Sequence, residues 1–142
     1  PVGGGGLISG IAGFLKKQNP DIEIIGAQPE NSPVMYESLK AGRIIEMDSK
    51  PTLSDGTAGG IEKGSITYDF CEKYVDRFVI LSEQEIAHAL KQVIEKQHML
   101  IEGAAALPVG ALLKESRNFK HKNISLILSG AKISLKKLKQ VL

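Results

Sequence analysis

The stretch Pro1-Val2-Gly3-Gly4-Gly5-Gly6-Leu7-Ile8-Ser9-Gly10 restricts this chain more than any other. Four consecutive glycines permit positive φ and leave the backbone bare to close approach. Directly behind them, Leu7, Ile8, Ile11, Ala12, Phe14 and Leu15 recur with helical spacing. A glycine loop that empties into a helix turns several backbone N–H groups toward one point, where the helix dipole adds positive potential. The pattern predicts a cradle for a phosphate or a carboxylate. A tight turn or flexible linker is the simpler alternative, but linkers do not run straight into an apolar helix. Almost no strand precedes the loop, so the chain is expected to begin in mid-fold.

Downstream, short apolar strands alternate with helices. The spacing predicts a helix over 7–18 that ends before Asn19-Pro20, with Gly10 and Gly13 on a side that packs on a sheet. A strand follows over 22–27. Ser32 is expected to cap, and Pro33 to open, a second helix carrying Met35, Leu39 and Ala41 and ended by Gly42. Residues 43–64 read as an irregular segment, the kind of long loop that is functional or disordered. Ser65 is expected to cap a helix through Tyr74, and Arg77 to Leu81 form a second strand. Ser82 and Glu85 make a capping box for a helix with Ile86, Ala89, Leu90, Val93 and Ile94 on one face. A small-residue helix begins near Glu102 and runs to about Glu115, tolerating Pro108 if that residue lies in the first turns. Ile124 to Leu128 read as the last strand, Ser129-Gly130-Ala131-Lys132 as a turn, and 133–142 as a final helix. This alternation predicts an α/β fold, three-layered with a mostly parallel sheet. Ligands of such sheets bind beyond the carboxyl ends of the strands. Gly3–Gly6 and Ser129-Gly130 both lie at such ends and are expected to share one crevice.

Charge and cysteine content exclude several functions. A formal charge of +2 over 142 residues makes no case for nucleic acid. Lys132, Lys136, Lys137 and Lys139 form a basic tail without interleaved aromatics, which reads as a solvated helix. Cys71 is the lone cysteine and sits among Ile66, Phe70 and Val75, so it reads as a buried thiol in a reducing, cytoplasmic setting. No apolar run reaches the roughly 18 residues that span a bilayer. His88, His98 and His121 lack metal-ligand spacing, and no metal site is expected.

Four stretches in register carry a resemblance. They are the opening glycine loop, Thr52-Leu53-Ser54-Asp55-Gly56, Ile101-Glu102-Gly103-Ala104-Ala105-Ala106 and Ile127-Leu128-Ser129-Gly130; Gln28-Pro29-Glu30-Asn31-Ser32 agrees as well. Together they resemble fold-type II pyridoxal-phosphate enzymes, in the serine/threonine dehydratase (threonine ammonia-lyase) group that includes serine racemase. The resemblance runs over essentially the whole chain. It implies that Gly3, Gly4, Gly5 and Gly6, with Leu7, hold the phosphate of pyridoxal 5'-phosphate and that Ser129 hydrogen-bonds the pyridine nitrogen. A neutral hydroxyl there makes the ring a moderate electron sink, suited to β-elimination of a hydroxyl. Gly56 and Glu102 would line the site, although a carboxylate at a helix start also suits the dipole.

The lysine that carries the cofactor in this family lies in its N-terminal half, and no lysine here stands in that context. The resemblance thus identifies residues 1–142 as the C-terminal half, the large, phosphate-binding domain, with no catalytic residue of its own and inactive alone. The expected partners are the N-terminal half, an amino-acid substrate (L-threonine or L-serine) and a second copy in a homodimer. An open sheet edge where further strands should pair invites such association. The leading expectation is an L-threonine/L-serine dehydratase that yields a 2-oxo acid and ammonia. The alternatives are a racemase of the same family and a non-catalytic phosphate-binding scaffold; a dinucleotide site lacks its acidic fingerprint residue. Ala131 and Lys132 replace the glycine and asparagine usual after Ser-Gly in this turn. Gln28 and Val34 stand where metal-binding relatives have carboxylates.

Overall fold

The computed structural model describes residues 1–142. Helix α1 spans Gly6–Gln18, strand β1 Ile25–Pro29, α2 Val34–Lys40, α3 Ile66–Tyr74, β2 Arg77–Leu81, α4 Glu83–Gln97, α5 Gly103–Lys114 and α6 Leu135–Val141. Single 3-10 turns occupy Asp55–Thr57 and Ser116–Phe119. The strands β1 and β2 are parallel, with Ala27 opposite Val79 and Pro29 opposite Leu81.

The period of two along these strands separates two cores. Ala27, Val79 and Leu81 face α4 and α5, where Ile86, Leu90, Ala105 and Leu107 complete an apolar cluster. On the other face, Ile24 and Phe78 join Val2, Ile8, Met35 and Cys71 from the α1, α2 and α3 side. The architecture is therefore helices, sheet, helices. Glycine and alanine on α5 allow the close approach: a Cβ on Gly110 would meet Leu81 at 3.1 Å and Ala89 at 3.6 Å. Burial pushes the Cys71 thiol up to about 11, as befits a packed, unreactive sulfur.

Several expectations need correction. Ile124 to Leu128 do not pair: no backbone group from Asn123 to Ser129 bonds within the chain, and Ile124, Ile127 and Leu128 are exposed. Strand propensity is present there, but no neighbouring strand is. The first strand is shifted to Ile25–Pro29, the residues that pair with Arg77–Leu81; at Ile24 the C=O still accepts from Asp76 N–H at 2.9 Å, while the Asp76 carboxylate accepts the Ile24 N–H at 2.7 Å. Ser32 does not cap α2; its hydroxyl pairs with Ser49 Oγ at 2.6 Å and accepts from Gly59 N–H, and Pro33 holds the cap position. Ser65 stands at the α3 cap, yet its hydroxyl pairs with Thr67 Oγ1. Gly13 packs against Phe70 and Tyr74 of α3, not a sheet, and Gly10 faces open space. Pro108 falls in the second turn of α5. The capping box of α4 forms as read, Ser82 Oγ accepting from Glu85 N–H while Glu85 accepts from Ser82 N–H.

Candidate functional site

The glycine loop is shaped from both sides. Val2 N–H donates to Ala27 C=O at 2.9 Å, which seats the start of the loop on the edge of β1. Gly5 then turns at φ 89°, a conformation that costs an L-residue free energy. A Cβ there would lie 2.8 Å from Met35 Cε and 3.2 Å from Cys71 Sγ. The carbonyls of Gly4 and Gly5 are occupied: Thr67 Oγ1 donates to Gly4 C=O and Ser9 Oγ to Gly5 C=O, both at 2.6 Å. Its N–H groups are not. No backbone N–H from Gly3 to Ile8 donates to an acceptor in the chain. Hydroxyls thus turn the carbonyls away and leave a run of donors at the head of α1, a geometry that attracts an anion.

A line of close contacts leads from this loop to the other expected residues. A Cβ on Gly3 would meet Thr57 Cα and O at 3.1 Å, so the loop lies against the Asp55–Thr57 turn. That turn is braced inside by Ser54 Oγ and Thr57 Oγ1, 2.7 Å apart and buried. Gly56 faces the Glu102 carboxylate and Ala104 across ordinary van der Waals contact. Gly103, at the first position of α5, admits the Leu53 carbonyl into space that any side chain would fill.

Glu102 holds the cap position of α5 without capping it. Its own N–H donates to Gly130 C=O at 3.1 Å, and its Oε2 accepts from Lys132 N–H at 3.2 Å. A Cβ on Gly130 would come within 2.5 Å of Glu102 Oε1, so any side chain there would displace that carboxylate. Ala131 keeps the negative φ open to any L-residue. Ser129 is exposed, and its hydroxyl makes no hydrogen bond within the chain. The fold therefore joins Gly3, Gly4, Gly5, Gly6, Gly56, Glu102 and Ser129 through one series of contacts, while Leu7 points toward a neighbouring groove. The roles of Thr67, Ser9 and Thr57 are not legible in sequence, since each acts on a residue set by the tertiary fold or by the loop conformation. No group of histidine, cysteine or acidic residues is arranged to hold a metal.

Beside this site lies an apolar groove of about 590 Å³, bounded by Ile11 and Ile22 on one side and by Leu112, Ile124 and Ile127 on the other. The unpaired backbone of 123–127 runs along it. No helix is long and apolar enough to cross a membrane.

The chain resembles known proteins over its whole length. A family model described as pyridoxal-phosphate dependent enzyme matches residues 1–130. An L-threonine ammonia-lyase of Thermotoga maritima is 40% identical over all of the chain, which spans 35% of that protein. A catabolic L-threonine dehydratase of Staphylococcus aureus is 39% identical over all of the chain and is spanned to 42%. Among solved structures, the processed form of threonine deaminase isoform 2 from Solanum lycopersicum superimposes with a TM-score of 0.89 at 32% identity. That match covers 99% of this chain and 41% of the tomato chain. Maize serine racemase gives 0.88 at 32% identity, covering 99% of this chain and 44% of its own. With its glycine loop, the Asp55–Thr57 turn, the head of α5 and the Ser129 turn in one series, the chain belongs to the pyridoxal-phosphate dependent enzymes of fold type II.

Proposed function

We propose that residues 1–142 are the large, phosphate-binding part of an L-threonine/L-serine ammonia-lyase. The observation that carries this reading is the run of unpaired N–H donors from Gly3 to Ile8 at a glycine loop whose Gly4 and Gly5 carbonyls are tied off by Thr67 and Ser9. These donors suit the phosphate of pyridoxal 5'-phosphate, and the free hydroxyl of Ser129 suits its ring nitrogen. When bound, that cofactor supplies the electron sink for losing the Cα proton and the β-hydroxyl of the substrate, with hydrolysis to a 2-oxo acid and ammonia following.

This chain's own residues bind and orient. Gly3 to Gly6 and Leu7 donate through the backbone and gain from the dipole of α1. Ser129 offers a neutral partner that does not fix a positive charge on the ring. Glu102 holds the turn that presents Ser129, and Gly56 leaves room beside it. The lysine and the carboxylate-gripping loop come from the N-terminal half of the protein, which the chain's share of its relatives leaves room for. We assign the groove between Ile22 and Ile124 to that half: an added strand there would satisfy the backbone of 123–129 and cover Ile124 and Ile127. The assembled enzyme is read as a cytoplasmic homodimer.

The test is the full-length protein with L-threonine and L-serine, scored for 2-oxo acid and for the D-amino acid. Release of 2-oxo acid that requires pyridoxal phosphate supports the reading. D-serine without 2-oxo acid would move the protein to the racemases, and cofactor uptake without either product would leave a scaffold.

A further inference from the structure

The Asp55–Thr57 turn stands between the glycine loop and the head of α5, touching Gly3 on one side and Glu102 on the other. Ser54 and Thr57 brace it from within. From outside, a residue of the C-terminal helix reaches it. Lys137 Nζ lies 2.6 Å from Asp55 Oδ2 and 3.4 Å from the Thr52 carbonyl, while its side chain is only 24% exposed. Two oxygens from one loop thus converge on one ammonium, and the helix α6 that carries it follows the Ser129 turn directly.

That turn is itself tied to the same place, since Glu102 bonds to Gly130 C=O and Lys132 N–H. The contacts close a ring: Ser129 turn, α6, Lys137, Asp55, Gly3 loop, with Glu102 across the middle. We infer that Lys137 is a positioning residue, a latch by which α6 holds the Asp55–Thr57 turn against the phosphate cradle and fixes the distance between that cradle and Ser129. It touches neither the cofactor nor the reacting atoms. Because Asp55 is 69% exposed, the pair adds little to global stability. Its effect falls on the placement of a turn whose other ties are the buried Ser54–Thr57 hydroxyl pair, the Leu53 N–H bond to Glu83 and the Gly59 N–H bond to Ser32.

This inference rests on the reading of the loop as a phosphate cradle, and the experiment separates the two. In the full-length protein, pyridoxal phosphate is titrated into wild type, Lys137→Met and Lys137→Arg, with thermal midpoints and amide exchange recorded alongside. Lys137→Met is expected to weaken cofactor binding roughly fivefold. It should also speed exchange of the Thr57 and Ala58 amides, which bond to Ser54 and Asp55 carbonyls. The thermal midpoint should stay put, and Lys137→Arg should restore both readouts. Unchanged affinity with unchanged exchange in Lys137→Met overturns the latch. So does an affinity loss that tracks the thermal midpoint and is not rescued by arginine. Wild-type protein that takes up no pyridoxal phosphate defeats the cradle instead, and exchange at Thr57 and Ala58 then decides the latch alone.

Discussion

Two segments of this chain have nearly the same strand-forming character and opposite fates. Arg77-Phe78-Val79-Ile80-Leu81 pairs in register with β1 and buries Leu81 completely. Ile124-Ser125-Leu126-Ile127-Leu128 is as apolar and as rich in β-branched and leucine side chains, yet it pairs with nothing and leaves Ile124, Ile127 and Leu128 exposed. Propensity is the same in both, so it does not decide. What decides is whether a neighbour supplies hydrogen-bond partners and a covered face. The strand β2 has β1 beside it and α4 and α5 beneath; the 124–128 segment borders an apolar groove.

Truncating the buried face of β2 should cost the most. Leu81→Ala should cost roughly 3 to 5 kcal/mol in urea denaturation of the 142-residue chain, because α5 and α4 surround that side chain. Leu128→Ala in the same chain should cost about 0.5 kcal/mol, as for a surface position. Equal costs would erase the distinction between the two segments. Gly5→Ala comes next, at roughly 2 kcal/mol, from positive φ and from the crowding of Met35 and Cys71. Ser82→Ala removes one side of the α4 capping box and should cost about 1 kcal/mol by the same measurement.

The smallest effect is electrostatic. The hydrogen bond from Arg77 holds the Glu23 carboxyl below its ordinary value of 4.5, aided by Lys122 and opposed by burial. A carboxyl lowered by folding contributes stability that is full above that ordinary value and is lost as pH falls through the depressed one. Glu23 is exposed enough for solvent to screen most of the gain. The urea midpoint of wild type should therefore fall on acidification below about pH 4.5 slightly more than that of Glu23→Gln. Parallel curves would show that this pair adds nothing to β2.

What was legible in the sequence follows the same division between local and distant partners. The α4 capping box was readable because Ser82 and Glu85 are three residues apart and answer only to each other. The glycine loop opening into α1 was readable because loop and helix are contiguous. Ser32 misled because its hydroxyl is taken by Ser49 and Gly59, which sequence does not place beside it. Ile124–Leu128 misled as a paired strand because a strand is a property of two segments. Thr67 on Gly4 and Lys137 on Asp55 were hidden for the same reason: each crosses more than sixty residues of chain.

We propose that this chain is one part of a pyridoxal-phosphate dependent enzyme whose sheet is completed at the groove by the remainder of the protein. Amide hydrogen exchange of Ile124–Ser129 tests it most directly, measured in the 142-residue chain and again in the full-length protein. No protection is expected in the first and strand-like protection in the second. Equal exchange in both, whether fast or slow, would contradict it.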